Sequence, residues 1–160
     1  MLTLIGMKKY TLLFIISLLA FAACKKTESA KEKPEIVFAG LSHDMVTSGD
    51  IKDTVLISLR YTIAASAVGT DTTAPQIYFK DARDQTVAFQ PFPAEVADNL
   101  PDEDLNISGN ITLRLNVGQH FVLRPDRPEG DTVQYDIYLK DMKKGIESNH
   151  ITTPNIYIMP

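Results

Sequence analysis

Hydrophobic and polar residues alternate over long stretches of the chain. Between Asp53 and Ile63, the residues Val55, Ile57, Leu59, Tyr61 and Ile63 fall on one face. Thr54, Ser58, Arg60 and Thr62 fall on the other, with Leu56 the exception. A period of two means a strand with one face buried. The pattern returns at Ile111, Leu113, Leu115 and Val117, set against Thr112, Arg114 and Asn116. It returns again at Val133, Tyr135, Ile137 and Leu139, set against Gln134, Asp136, Tyr138 and Lys140.

Shorter apolar runs fill the intervals. Ile36 to Ala39, ending in Gly40, predicts a first strand. Ile77 to Lys80, a turn over Asp81 to Asp84, and Thr86 to Phe89 predict a hairpin. Pro91 and Pro93 stop it, and residues 94–100 have room for one helical turn. An acidic loop runs from Pro101 to Asn106, and Gln119 to Leu123 predicts a short edge strand. Ser48-Gly49 and Ser108-Gly109 read as turn pairs, and Asp141 to Gly145 as another turn. Asn149 to Ile158 predicts a final strand interrupted by Pro154. The pattern holds about seven or eight strands and no amphipathic helix of three turns, which predicts an antiparallel β-sandwich. A lipocalin-like barrel is the alternative.

The longest apolar block lies outside this pattern. Leu12 to Ala23 carries no charge, Lys8 and Lys9 precede it, and Cys24 follows. The block is too short for a membrane span of about 20 residues. A positive start, a short apolar stretch and small residues before a cysteine predict an export signal over residues 1–23. Met7-Lys8-Lys9 also opens a normal signal, so Met7 is an alternative start. Phe21-Ala22-Ala23-Cys24 resembles the bacterial lipobox, departing from it at Phe21, where Leu is commoner. The resemblance implies lipid on the Cys24 sulfur and amine, with each buried methylene contributing about 0.8 kcal/mol of anchoring. Residues 24–34 are charged and nearly free of apolar side chains, which predicts a flexible linker. The domain then spans 35–160. Lys25 and Lys26 do not resemble the Asp retention signal of enteric bacteria, which favours the outer membrane.

Composition narrows the partners. The chain has one cysteine, no tryptophan and a formal net charge of −4. Removing the signal takes away Lys8 and Lys9 and no acids, so the mature chain is more acidic still. That excludes a general nucleic-acid binder, an intrachain disulfide and a cysteine-rich metal site.

Gly130 to Ile137 resembles the approach to strand F of immunoglobulin-like domains, with Tyr135 two residues before the position, here Ile137, where those domains place a cysteine. The resemblance implies that the Tyr135 hydroxyl bonds back to main chain. Tyr135 to Asp141, Gly145, Glu147-Ser148-Asn149 and Thr152-Thr153-Pro154 are similar to the ending of immunoglobulin-like lipoproteins of the Bacteroidota. That likeness implies an envelope location and an immunoglobulin-like sandwich. Relatives often have an acidic, Gly-rich loop after the second strand. Here Ala64 to Asp71 stands there, with Asp71 as its one carboxylate.

Candidate chemistry is sparse. Asp102, Asp104 and Asn106 match the first alternating ligands of a calcium loop, but Ile107 and Leu113 stand where Gly and the bidentate Glu belong. A solvated acidic loop is the preferred reading and a weak calcium site the alternative. His43, His120 and His150 have no metal-ligand spacing and read as surface or edge-strand residues. There is no Gly-x-Ser-x-Gly nucleophile motif and no phosphate loop. Parity places Tyr138 opposite an inward Tyr135, making Tyr138, then Tyr78, the aromatics to expect at a ligand surface; cross-strand packing is the preferred account of both. Asp53-Thr54-Val55, Asp71-Thr72-Thr73 and Asp131-Thr132-Val133 resemble a short O-glycosylation motif of exported Bacteroidota proteins, which implies modification at Thr54, Thr72 or Thr132. They are also natural turn-to-strand entries.

The sequence thus predicts a lipid-anchored, non-enzymatic binding or structural module of the envelope, without a cofactor, that meets a protein or glycan partner. The alternative is a carbohydrate- or calcium-binding accessory of an uptake system.

Overall fold

The structure, a computed structural model, describes residues 31–68, 73–93 and 105–160. The signal, Cys24, Thr72, Asp102, Asp104 and the expected helical turn over 94–100 lie outside the described residues.

Eleven strands are described in chain order. They are β1 (Glu35–Leu41), β2 (Met45–Thr47), β3 (Thr54–Ala64), β4 (Gln76–Asp81), β5 (Val87–Pro91) and β6 (Asn106–Asn116). After a four-residue helical turn, α1 (Val117–His120), come β7 (Asp131–Val133), β8 (Tyr135–Asp141), β9 (Ile146–Glu147), β10 (Ile151–Thr152) and β11 (Ile156–Met159). One sheet has the order β1-β3-β6. A second has the order β10-β8-β4-β5, with β9 also on β8, and β2-β11-β7 form a third small sheet. All pairs are antiparallel except β2 with β11. The protein is an all-β sandwich whose described sheets do not close into a barrel. Its two main sheets follow the immunoglobulin-type strand order A-B-E and G-F-C-C′.

The alternation written in the sequence builds the core. Val55, Ile57, Leu59, Tyr61 and Ile63 are all buried, as are Ile111, Leu113 and Leu115 beside them and Ile77, Phe79, Tyr135, Ile137 and Leu139 on the other sheet. They form one cluster. Because side chains of a strand alternate faces, the residues between them turn outward on both sheets.

Several elements differ from the sequence reading. Val133 and Tyr135 belong to different strands, because β7 pairs with β11 while β8 pairs with β4. Asn149 to Ile158 is likewise split, with Pro154 lying between β10 and β11. Across these breaks the pairing register shifts by one residue from β9 to β10 and by one more from β10 to β11. Ser108-Gly109 is not a turn but the interior of β6, paired with Thr62 and Tyr61. Gly is required at position 109 because a Cβ there would lie 2.7 Å from the Tyr61 hydroxyl and 2.9 Å from its ring. Asn106 is not loop but the first residue of β6, opposite Ala64. Gln119 to Leu123 forms no strand. A helical turn there places Val117 and Phe121 one turn apart and buries both.

Candidate functional site

The outer face of the second sheet is an ordered grid set by strand register. Tyr78 on β4 pairs with Phe89 on β5 and with Tyr138 on β8. The row continues to His150, just before β10. Tyr78 and Tyr138 stack with centroids 5.1 Å apart and planes within 5°. Tyr138 and His150 stack at 4.5 Å, and Phe89 lies tilted at 5.7 Å from Tyr78. Tyr138, placed outward by parity, and Tyr78, ranked next to it, are therefore brought together in one aromatic row.

Neighbouring rows are set by the same register. Val87, Lys80 and Asp136 lie on one side of the aromatics, and Pro91, Gln76, Lys140 and Glu147 on the other. Lys140 pairs with Glu147 at 3.1 Å, and His150 Nδ1 meets Asp136 at 2.9 Å. The Tyr78 hydroxyl donates to Gln76 at 2.6 Å. Burial and then the Glu147 carboxylate push the Tyr138 phenol above its ordinary value. The face is apolar along β5 and charged toward β9 and β10. Phe89 is 56% exposed and Val87 49%.

A second cluster sits at the β4–β5 turn. Arg83 grips Asp81 through Nε at 3.1 Å and Nη2 at 2.7 Å, and reaches Asp131 through Nη1 at 3.3 Å. Its remaining protons go to the carbonyls of Val122 and His120, each at 3.2 Å. Arg124 closes on Asp131 with bonds of 2.9 and 3.1 Å. Burial pushes the Asp131 carboxyl up, but hydrogen bonds from Arg124, the Thr132 N–H and Arg83 hold it below its ordinary value. The Tyr135 hydroxyl donates to the His120 carbonyl at 3.1 Å, so it does bond back to main chain. A cavity of about 230 Å³ opens beside Arg83, His120 and Tyr135. All five guanidinium protons of Arg83 are engaged, which makes it a tie between loops with no donor left for a ligand.

Ser42, His43 and Asp53 form a third chain. His43 Nδ1 lies 2.9 Å from Ser42 Oγ, and its Nε2 lies 3.2 Å from Asp53. The order resembles a nucleophile relay. Yet the Ser42 hydroxyl also accepts the Leu56 N–H at 2.9 Å, which closes the link between β1 and β3. The described cavities are lined by other residues.

The remaining candidates are dispersed. Asn106 Oδ1 accepts the Lys31 N–H at 2.8 Å. Thr54 is half-buried at the start of β3, and Thr132 is exposed on β7. Each of the three histidines has different partners: His43 meets Asp53 and His150 meets Asp136, whereas His120 packs its ring on Phe79 at 5.6 Å, not on an edge strand. Among the described residues, no group of three or more His, Cys, Asp or Glu is placed to hold a metal, and no helix is long and apolar enough to cross a membrane.

Sequence reasoning missed Phe89, His150 and the Arg83 hub. The hairpin register carried a signal for Phe89, since setting Phe89 opposite Tyr78 fixes both on the same face. His150 stands outside any regular strand and gave no such signal. Comparison with protein-family models and with curated proteins finds no match to this chain.

Proposed function

We propose that the protein is an envelope lipoprotein, held at the outer membrane by lipid on Cys24, and that its sandwich is a non-catalytic module presenting the aromatic outer face to a protein partner. The observation that supports this reading is the Phe89–Tyr78–Tyr138–His150 row, fixed across the strands of a rigid sheet. Sugar rings bind on open aromatic faces. In this row the tyrosine faces are turned toward their neighbours, leaving ring edges, hydroxyls and flanking charges to meet a partner. Aromatic anchors within a polar rim are the usual composition of a protein interface. Two further features favour a non-catalytic module: the saturation of Arg83, and the Ser42 hydroxyl serving as acceptor for a strand N–H.

A photo-crosslinking residue at Tyr138, compared with one at Arg60 on the outer face of the other sheet, tests the face in the native host. A defined adduct at 138 and none at 60 is expected; equal adducts, or none, would defeat the reading. Glycan-array binding lost in Tyr138→Ala would establish the small-ligand alternative instead. Membrane fractionation of Cys24→Ser tests the anchor separately. Release from the membrane is expected, and unchanged association would remove the lipid.

A further inference from the structure

The hydrogen-bond pattern of β5 defines what its outer edge, unpaired among the described residues, offers. Asp81 N–H bonds to the Thr86 carbonyl at 2.9 Å, and Phe92 N–H to the Pro75 carbonyl at 3.0 Å. With Phe79 opposite Ala88 and Ile77 opposite Gln90, it is Ala88 and Gln90 that turn their main-chain groups toward β4. Val87, Phe89 and Pro91 turn theirs to the open side. Among the described residues, no strand pairs there. The same Val87 and Phe89 expose their side chains on the outer face. An edge with free main-chain groups and exposed apolar side chains is a template for another strand.

We propose that a second copy of this chain pairs its own β5 antiparallel to this one, about a two-fold axis through Ala88. In that register Val87 of each copy lies opposite Phe89 of the other. Both pairs are of the hydrogen-bonded type, so every N–H and C=O of Val87 and Phe89 is satisfied, in four bonds. The exposed side chains meet as two Val–Phe pairs on one face. Pro91, which has no N–H to give, falls beyond the ladder and limits it to this register. A two-fold through Phe89 would instead set Pro91 against Val87 and leave the Val87 carbonyl of each copy without a partner. The self-complementarity of the short edge is what selects a second copy over an unrelated strand. The contact is small compared with a standard interface of roughly 1,600 Å². It is therefore a weak pairing, favoured where chains are concentrated on one surface. Its register rests on the strand pattern and not on the partner of the aromatic face; its population rests on the proposed lipid anchor, which the Cys24→Ser fractionation tests separately.

Antiparallel pairs of the non-hydrogen-bonded type bring Cα atoms to about 4.5 Å, within disulfide range. Ala88 faces its own counterpart in such a pair. The full chain carrying Ala88→Cys, in its membrane, should form a disulfide-linked dimer on mild oxidation. Lys80→Cys, one strand further in, should not, and adding Val87→Asp to Ala88→Cys should cut the dimer yield about tenfold. A circular dichroism spectrum and melting curve like those of the unmodified chain establish that each variant is folded. Absence of a dimer from folded Ala88→Cys, or equal yields from Lys80→Cys, would overturn the pairing. A disulfide dimer of the unmodified chain would show Cys24 to be a free thiol, which defeats the lipid anchor and leaves the β5 result to be read from the increment over that background.

Discussion

Tyr135 and Thr153 exchange two hydrogen bonds: the Tyr135 N–H donates to Thr153 Oγ1 at 3.0 Å, and the Thr153 N–H returns to the Tyr135 carbonyl at 3.0 Å. Leu139 and Ser148 repeat the arrangement at 2.9 and 2.8 Å, as do Leu56 and Ser42, each at 2.9 Å. In each case a hydroxyl takes the place of a strand carbonyl. At Ser148 and Thr153 this happens where the register shifts, and both side chains are buried. Thr153→Val and Ser148→Ala each leave a buried N–H without an acceptor, so each should cost about 1–3 kcal/mol in denaturant unfolding. Ser42 is exposed and water can replace its hydroxyl; Ser42→Ala should cost less than about 1 kcal/mol. Equal losses at all three positions would show that register shift and burial are not what matters.

Arg83 links the β4–β5 turn to Asp131 and to the carbonyls of His120, at the end of α1, and Val122. Its side chain and that of Asp81 are each 11% exposed. Arg83→Met takes the guanidinium from the Asp81 carboxylate and leaves it the Arg83 main-chain N–H at 2.8 Å, and should destabilise by about 1–3 kcal/mol. Asp81→Asn combined with Arg83→Met should fall short of the sum of the single losses, since the second change removes the charge that the first left unpaired. Strict additivity in the cycle would mean that the two groups do not depend on each other. The lowered Asp131 carboxyl adds stability that is present above its unfolded value and is lost as pH falls through its folded one.

His120 gives the fold a pH dependence nearer neutrality. Burial lowers its imidazole below the ordinary value of 6.5, and the Asp81 carboxylate raises it only in part. Below the ordinary value the unfolded chain takes up a proton that the folded chain resists. Stability is therefore full above about pH 7 and declines as pH falls through 6.5 toward the depressed folded value. His120→Gln should flatten the melting temperature between pH 7 and 5 relative to the unmodified chain. An unchanged slope would assign the dependence to other groups.

Gly109 shows where the sequence could be read and where it could not. The long strands were legible because burial of one face writes a period of two, as Val55 to Ile63 illustrates. Ser108-Gly109 looked like a turn because its small residues match turn chemistry. In fact the aromatic ring of Tyr61 occupies the space that a side chain at 109 would need. That is a cross-strand fact, invisible in local sequence. The splits at Gln134 and Pro154 were hidden for a related reason: β7 and β8 keep one alternation while changing partners. Parity alone turns Tyr138 to the outer face, but its stacking on Tyr78 needs the register of β4 against β8. Gly109→Ala should destabilise by about 1–3 kcal/mol, as overpacking does. Tyr61→Phe should give only partial rescue, since ring carbons at 2.9 Å still crowd the site after the hydroxyl at 2.7 Å is gone. Full rescue would place the conflict at the hydroxyl.

The Tyr78–Tyr138 stack separates stability from recognition. As an aromatic cross-strand pair, it should contribute a coupling of about 0.5–1.5 kcal/mol to folding. Tyr78→Ala and Tyr138→Ala, singly and together, measure that coupling in a double-mutant cycle. If the face recognises a protein, adduct formation from a crosslinker at Phe89 should fall in Tyr138→Ala by more than any loss of folded protein, while Tyr138→Phe should keep the stack and most of the stability. A Tyr138→Phe variant that folds normally but loses the adduct would place recognition on the phenol hydroxyl. One that keeps the adduct would place it on the ring edges. A Tyr138→Ala variant that still forms the full adduct would reduce the row to packing and remove it from recognition.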